Sequence, residues 1–319
     1  MSNLIPIESA VPSTSGINDK AMDYISQAKA DNTKKSYHTD WQDFIKYCEN
    51  IDTEYLPATV VTIVNYLTQL VEHAKVSTIT RRISAISQAH QTAGFTSPTH
   101  ALPVRALMSG IRRAKGTAQE GKTPILVDDI KTMIAMLPDN LLGVRDKALL
   151  LLGFTGAFRR SELVSLNIED LAFSRERLTV LLRKSKTDQD GQGTKKGIPY
   201  CLDSITCPVQ AIQDWLNASG IVTGALFRAI NRHGQLQPGR LSDKAVALIV
   251  KRSVEATGLN PNNYSGNSLR AGLATSAAMV GVEERVIMQQ TGHKSVNMVR
   301  KYIRDGSLFR NNAVSHLGL

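Results

Sequence analysis

Four segments between residues 155 and 304 carry side chains suited to chemistry on a phosphate ester. TGAFRRSELVSL holds Arg159, Arg160 and Glu162, and RKSKTDQDGQG holds Lys186. YSGNSLRAGLATSAA holds Asn267 and Arg270, and TGHKSVNMVRKYIR holds His293 with Tyr302 nine residues on. Two guanidiniums suit bidentate clamping of a phosphate's non-bridging oxygens. A tyrosine hydroxyl can act as a nucleophile that forms a covalent intermediate. A lysine can protonate a departing alkoxide, and a histidine can hydrogen-bond phosphoryl oxygens or relay protons.

Taken singly, each has a plainer reading. Arg159 and Glu162 are three apart and could pair on a helix surface, where such pairs contribute about 0–1 kcal/mol. Lys186 reads equally as a solvated turn residue, and His293 and Tyr302 as satisfied core residues. Arg270 sits among Ala271, Gly272, Ala274 and Ala277, where an arginine is expensive to bury without an anionic partner. There is no G-x-x-x-x-G-K-[ST] loop and no metal-ligand spacing, so no cofactor and no metal are expected. Metal-free phosphoryl transfer to tyrosine is the chemistry that remains.

The elements that must position these groups follow from periodicity. Residues 1–17 are rich in Ser, Pro and Gly and read as a flexible tail. Tyr37, Trp41, Phe44, Ile45 and Cys48 form an apolar stripe on a first helix. Pro57 opens a second, Ser77 or Thr78 caps a third over Thr80–His90, and a fourth spans about Val104–Arg113. Residues 18–113 are therefore expected to form a helical bundle, and the glycine-bearing, apolar-poor stretch 114–125 a linker. From 126 to 319 the pattern is mostly helix. Asp128 or Asp129 caps a helix to Met136, and further helices fall at Asp146–Thr155 and Arg159–Leu166. Arg177–Lys184 and Ile198–Leu202 form one small antiparallel sheet turning at Gly191 and Gly193. Ser295 is placed to cap the helix carrying Tyr302. The fold class is mainly α.

Composition agrees with a nucleic-acid partner. The chain of 319 residues has a net charge of +10 and pI near 9.5. Residues 1–74 hold 5 basic against 10 acidic side chains, residues 75–122 hold 8 against 1, and 123–319 hold 25 against 17. Arg81, Arg82, Arg105, Arg112, Arg113 and Lys115 in the basic block are candidate DNA contacts; a solvated helix face is the competing reading. Cys48, Cys201 and Cys207 give an odd count without C-x-x-C spacing, which argues against a disulfide framework or zinc site. The sequence has no apolar run of the roughly 18 residues a membrane span needs, and its start lacks the layout of a secretory signal. A cytoplasmic protein is expected.

The combination of R-x-S-E-L, S-K-T-D, x-S-L-R-A-G and T-G-H-K-S with its tyrosine resembles the tyrosine recombinases, or phage integrase family, over residues 20–319. The resemblance is to compact two-domain members: a helical, SAM-like core-binding domain and a helix-rich catalytic domain forming a C-shaped clamp on duplex DNA. It implies that Arg159 and Arg270 clamp the phosphate, with Arg160 the alternative to Arg159, and that Glu162 supports the first arginine. It implies that Lys186 protonates the leaving 5′ oxygen, His293 is the second histidine, and Tyr302 is the nucleophile of a 3′-phosphotyrosyl intermediate. It further implies a double-stranded site with inverted repeats in a bacterial, phage or plasmid context. The assembly would be a homotetramer on two sites, exchanging a C-terminal helix marked by Phe309, Ala313, Val314 and Leu317. One position departs from the family. Its second box reads H-x-x-R or K-x-x-R, whereas here Asn267 precedes Ser268-Leu269-Arg270. Asparagine donates hydrogen bonds but takes up no proton near neutral pH, and losing an acid–base group typically costs on the order of 10²- to 10⁴-fold. Three readings compete with an active recombinase: a catalytically impaired DNA-binding accessory protein, a type IB topoisomerase-like strand relaxer, and, more weakly, an RNA-binding protein.

Overall fold

The computed structural model describes residues 30–117, 121–185, 188 and 191–307, together with Lys20 and Tyr24. The chain divides into two compact units, Met1–Glu120 and Gly121–Leu319. The tail read at 1–17, Lys186 and the C-terminal stripe beginning at Phe309 lie outside the described residues. No described helix is long and apolar enough to cross a membrane.

Unit 1 is a bundle of α1 (Asp31–Asn50), α2 (Val60–Val71), α3 (Val76–Thr92) and α4 (Leu102–Lys115). Trp41, Phe44, Ile45 and Cys48 of the α1 stripe are buried against Ile63, Tyr66 and Leu67 of α2 and Ile79 and Ile86 of α3. Two starts differ from the sequence expectation. Thr59, not Pro57, begins α2, because its hydroxyl accepts from the Thr62 amide at 3.1 Å. α3 begins at Val76 behind Lys75, so Ser77 and Thr78 lie inside the helix. His90, fully buried, accepts the Ala58 amide on Nε2 at 2.8 Å and sits 2.9 Å from the Ile86 carbonyl through Nδ1.

In unit 2, α5 (Val127–Ala135), α6 (Leu141–Thr155) and α7 (Arg160–Ser165) lead into a three-stranded antiparallel sheet. Its strands are β1 (Leu171–Phe173), β2 (Arg177–Leu182) and β3 (Thr194–Pro199), in the order β1-β2-β3. After α8 (Pro208–Ser219), β4 (Arg228–Ile230) and β5 (Leu236–Arg240) pair as a second antiparallel sheet. α9 (Asp243–Ala256), α10 (Ser268–Met279), α11 (Glu284–Thr291) and α12 (Val296–Ser307) complete the unit. The core runs from Ile125 through the α6 leucines and Phe158 to Trp215 and Phe227.

The return strand is β3 rather than Ile198–Leu202, and β1, β4 and β5 are additional to the single hairpin expected. These strands are short, with little apolar alternation to announce them. The expected linker also ends early. Thr123 donates to the Asn263 carbonyl at 2.8 Å and Ile125 to Ser268 at 3.0 Å, and Ile125 is fully buried. A Cβ on Gly272 would collide with the Ile125 carbonyl, so the glycine is what lets α10 lie against this segment.

Candidate active site

The site is built on the loop before α7, the start of α10, the inner face of β3 and the turn between α11 and α12. Arg159 occupies the N-cap position of α7. Glu162 accepts its backbone amide at 2.9 Å with one oxygen and pairs with its guanidinium through the other. The carboxylate is buried at 4% exposure, so this is not the surface pair that spacing alone would allow. It caps the helix and aims the arginine at once. Arg160 turns aside to Asp243 at 4.0 Å and packs over Gly266.

Arg270 lies in the first turn of α10, buried at 4% exposure. Its Nη1 donates to the Ala157 carbonyl at 2.7 Å and its Nη2 to Nε2 of His293 at 3.1 Å. Burial and the nearby Arg159 lower its pKa to about 10. Arginine only donates, so Nε2 of His293 must accept, which leaves the proton of the neutral ring on Nδ1. Nδ1 lies 2.8 Å from the Thr291 hydroxyl, which itself donates to the Ile287 carbonyl at 2.7 Å. Burial first, then Arg270, Arg159 and Lys196, push the His293 pKa down to about 4. Gly292, at φ 66°, ends α11 and swings the chain so that His293 faces Arg270.

Tyr302 is half-buried on α12, its ring centroid 5.9 Å from that of His293. It packs against Ala274, Ala278, Ile287 and Val299, so the small residues of α10 admit the helix that carries the phenol. Asn267, exposed, immediately precedes α10 and its side chain does not cap the helix. Between β2 and β3 the Asp188 carboxylate accepts the amides of Gln192 at 3.1 Å and Gly193 at 2.8 Å.

Thus Arg159, Glu162, Arg270, His293 and Tyr302 are gathered in one place, and Asn267 stands three residues before Arg270. Residues missed in the sequence complete it. Lys196 is buried at 5% exposure, donates to the carbonyls of Gly156 and Gln290 at 2.6 Å each, and lies 4.8 Å over the Phe158 ring. Burial and the Arg270 charge lower its pKa to about 8. Gln290 donates through its amide to the Thr155 carbonyl at 2.7 Å. Period-2 alternation with Ile198 was the one sequence signal for Lys196.

In unit 1, two of the candidate contact residues also serve the fold. Arg81 makes a bidentate pair with buried Asp40, at 2.7 and 2.9 Å. Arg82 pairs with Asp43 and donates to the Tyr66 hydroxyl at 3.0 Å. These two knit α3 to α1. Arg105, Arg112, Arg113 and Lys115 are exposed on α4. Arg112 and Lys115 share a concavity with Lys75.

The model of the phage integrase family matches residues 125–307. The chain is 45% identical over 302 residues to the "Integrase/recombinase xerD homolog" of Selenomonas ruminantium, spanning 93% of this chain and 89% of that protein. It is 22% identical over 334 residues to "Recombinase cre" of Escherichia phage P1, spanning 96% and 95%. In fold it is similar to XerH site-specific recombinase bound to palindromic difH substrate in a post-cleavage complex, with TM-score 0.65, 14% identity and coverage of 94% and 90%. It is also similar to a lambda integrase dimer bound to a COC′ core site, with TM-score 0.58, 15% identity and coverage of 89% and 74%.

Proposed function

The chain belongs to the phage integrase family, the tyrosine recombinases, and from that premise we propose that it cleaves and rejoins duplex DNA at a specific site through a 3′-phosphotyrosyl link. The observation that carries this reading is the convergence of Arg159, Arg270, His293 and the Tyr302 phenol, with Arg270 and His293 in direct contact and Tyr302 beside the imidazole.

Tyr302 attacks the scissile phosphorus, the bond to the 5′ oxygen breaks, and Lys186 protonates that oxygen. Arg159 and Arg270 neutralise the non-bridging oxygens. The phenolic proton needs an acceptor that Asn267 cannot be. His293 is neutral in the free protein, with its basic nitrogen on the Arg270 side of the ring. A phosphodiester anion drawing Arg270 onto its oxygens frees that nitrogen and raises its basicity. Rejoining reverses the steps with another strand's 5′-hydroxyl, and the bond energy kept in the phosphotyrosine makes ATP unnecessary.

The partner in this reading is double-stranded DNA with inverted repeats, contacted in unit 1 by Arg105, Arg112, Arg113 and Lys115 together with Lys75, mainly through phosphates. The active assembly is a homotetramer on two sites, in which the segment carrying Phe309, Val314 and Leu317 docks on a neighbouring protomer. Exposed Val280 and Val282 in the connection between α10 and α11, with Val286 on α11, offer that segment an apolar landing surface. The deciding test is a suicide substrate with the wild-type chain and Tyr302→Phe. A covalent protein–DNA band that vanishes in the variant supports the reading, and its persistence overturns the assignment of Tyr302.

A further inference from the structure

β3 alternates outward and inward, and its inward residues are Lys196 and Ile198, opposite Val180 and Leu178 of β2. An ammonium at a core-facing strand position is costly unless its donors are used. Here two of its three are, and their targets have a common character. Gly156 is the residue that closes α6, and Gln290 is in the last turn of α11. Carbonyls at a helix C-terminus lack intrahelical partners and carry the negative end of the helix dipole. Lys196 therefore bridges two helix ends that converge in the core, and the Gln290 amide on Thr155 ties the same ends a second time.

Both bridged ends run directly into the site. One residue beyond Gly156 is Ala157, whose carbonyl accepts Arg270, and two further on is Arg159. Three residues beyond Gln290 is His293. The gap between the arginine clamp and the imidazole is thus bridged by an ammonium that faces Arg270, Arg159, Glu162 and His293 yet is itself closed off from solvent.

We propose that Lys196 is a positioning residue for strand cleavage, holding the α6 and α11 ends in register so that Arg159, Arg270 and His293 meet one phosphate. This rests on the recombinase reading above and goes beyond it, because Lys196 would touch neither DNA nor the reacting atoms. Removing its donors should loosen the site without removing any contact to the duplex. A displacement of about 1 Å among reacting groups is worth on the order of 10²-fold in rate.

The experiment is single-turnover cleavage of a suicide substrate at saturating protein, alongside half-site DNA affinity, for wild type, Lys196→Met, Lys196→Arg and Tyr302→Phe. Lys196→Met should slow covalent-band formation about 10²-fold while the Kd for DNA stays within about threefold, and Lys196→Arg should restore most of the rate. Cleavage by Lys196→Met within threefold of wild type, or parallel loss of rate and affinity, overturns the proposal. Should Lys196→Met fail to fold, the pH profiles of wild type and Lys196→Arg decide. The lowered Lys196 pKa of about 8 predicts a rate that falls above pH 8 in wild type and at higher pH in the arginine variant, and coincident profiles overturn the proposal. No band from wild type, or an undiminished one from Tyr302→Phe, instead sinks the recombinase reading itself.

Discussion

The guanidinium of Arg270 rests 3.1 Å from Nε2 of His293, and that one contact orders the imidazole from both sides. Since the arginine can only donate, the opposite nitrogen must hold the proton, and Thr291 is there to receive it.

Thr291→Val keeps the shape of the side chain but removes the acceptor for Nδ1 and the hydroxyl that donates to Ile287. The ring then loses its preferred tautomer and direction. A hydrogen bond of this kind is worth about 0.5–1.5 kcal/mol net, so single-turnover cleavage should fall by up to about tenfold. DNA affinity should be unchanged. An equal loss of affinity would assign Thr291 to folding alone.

Asn267→His adds an imidazole one turn before Arg270 at an exposed position. If proton transfer near the phosphate is incomplete in the wild type, the variant should cleave nicked DNA faster. An unchanged or lower rate would remove position 267 from the catalytic account and leave His293 as the sole imidazole involved.

The stability of unit 1 should depend on pH through His90. Burial lowers its pKa in the folded state, against a weaker opposing effect of the Ile86 carbonyl. The unfolded chain therefore binds a proton that the folded chain excludes. Its stabilising contribution is present above the ordinary histidine pKa of about 6.5 and declines as pH falls below it. Hydrogen exchange at α1–α4 amides of the full chain should accelerate between pH 6.5 and 5 after correction for intrinsic rates, and His90→Gln should flatten that trend.

Deletion of residues 306–319 should weaken synapsis of two DNA sites more than binding to one, as gel-shift and analytical ultracentrifugation can separate. Equal losses would point to packing within the same protomer.

How far these features could be read beforehand differs by residue. Arg159 and Glu162 were legible as a pair because three-residue spacing is local; the burial of Glu162 was not, since it depends on packing across the unit. The small residues around Arg270 announced close packing, and the positive φ of Gly191 and Gly193 matches the hairpin tip they marked. Lys196 had only its alternation with Ile198 to mark it, because TKKGIP looks like a solvated strand end until the register with Val180 turns the second lysine inward. The pairing of Arg81 and Arg82 with Asp40 and Asp43 was not legible, because a charge count along the chain cannot register partners about forty positions away. Thr291 carried no signal: a hydroxyl beside a glycine and a histidine has no spacing rule.

Gly292 adds a consequence of its own. A single left-handed residue joins the end of α11 to His293, so the direction in which the chain leaves the helix toward the imidazole turns on the torsions at 292. A β-branched side chain at 292, or one inserted residue, would act as a misaligned hinge pin: the helices could still fold, while the ring pointed elsewhere.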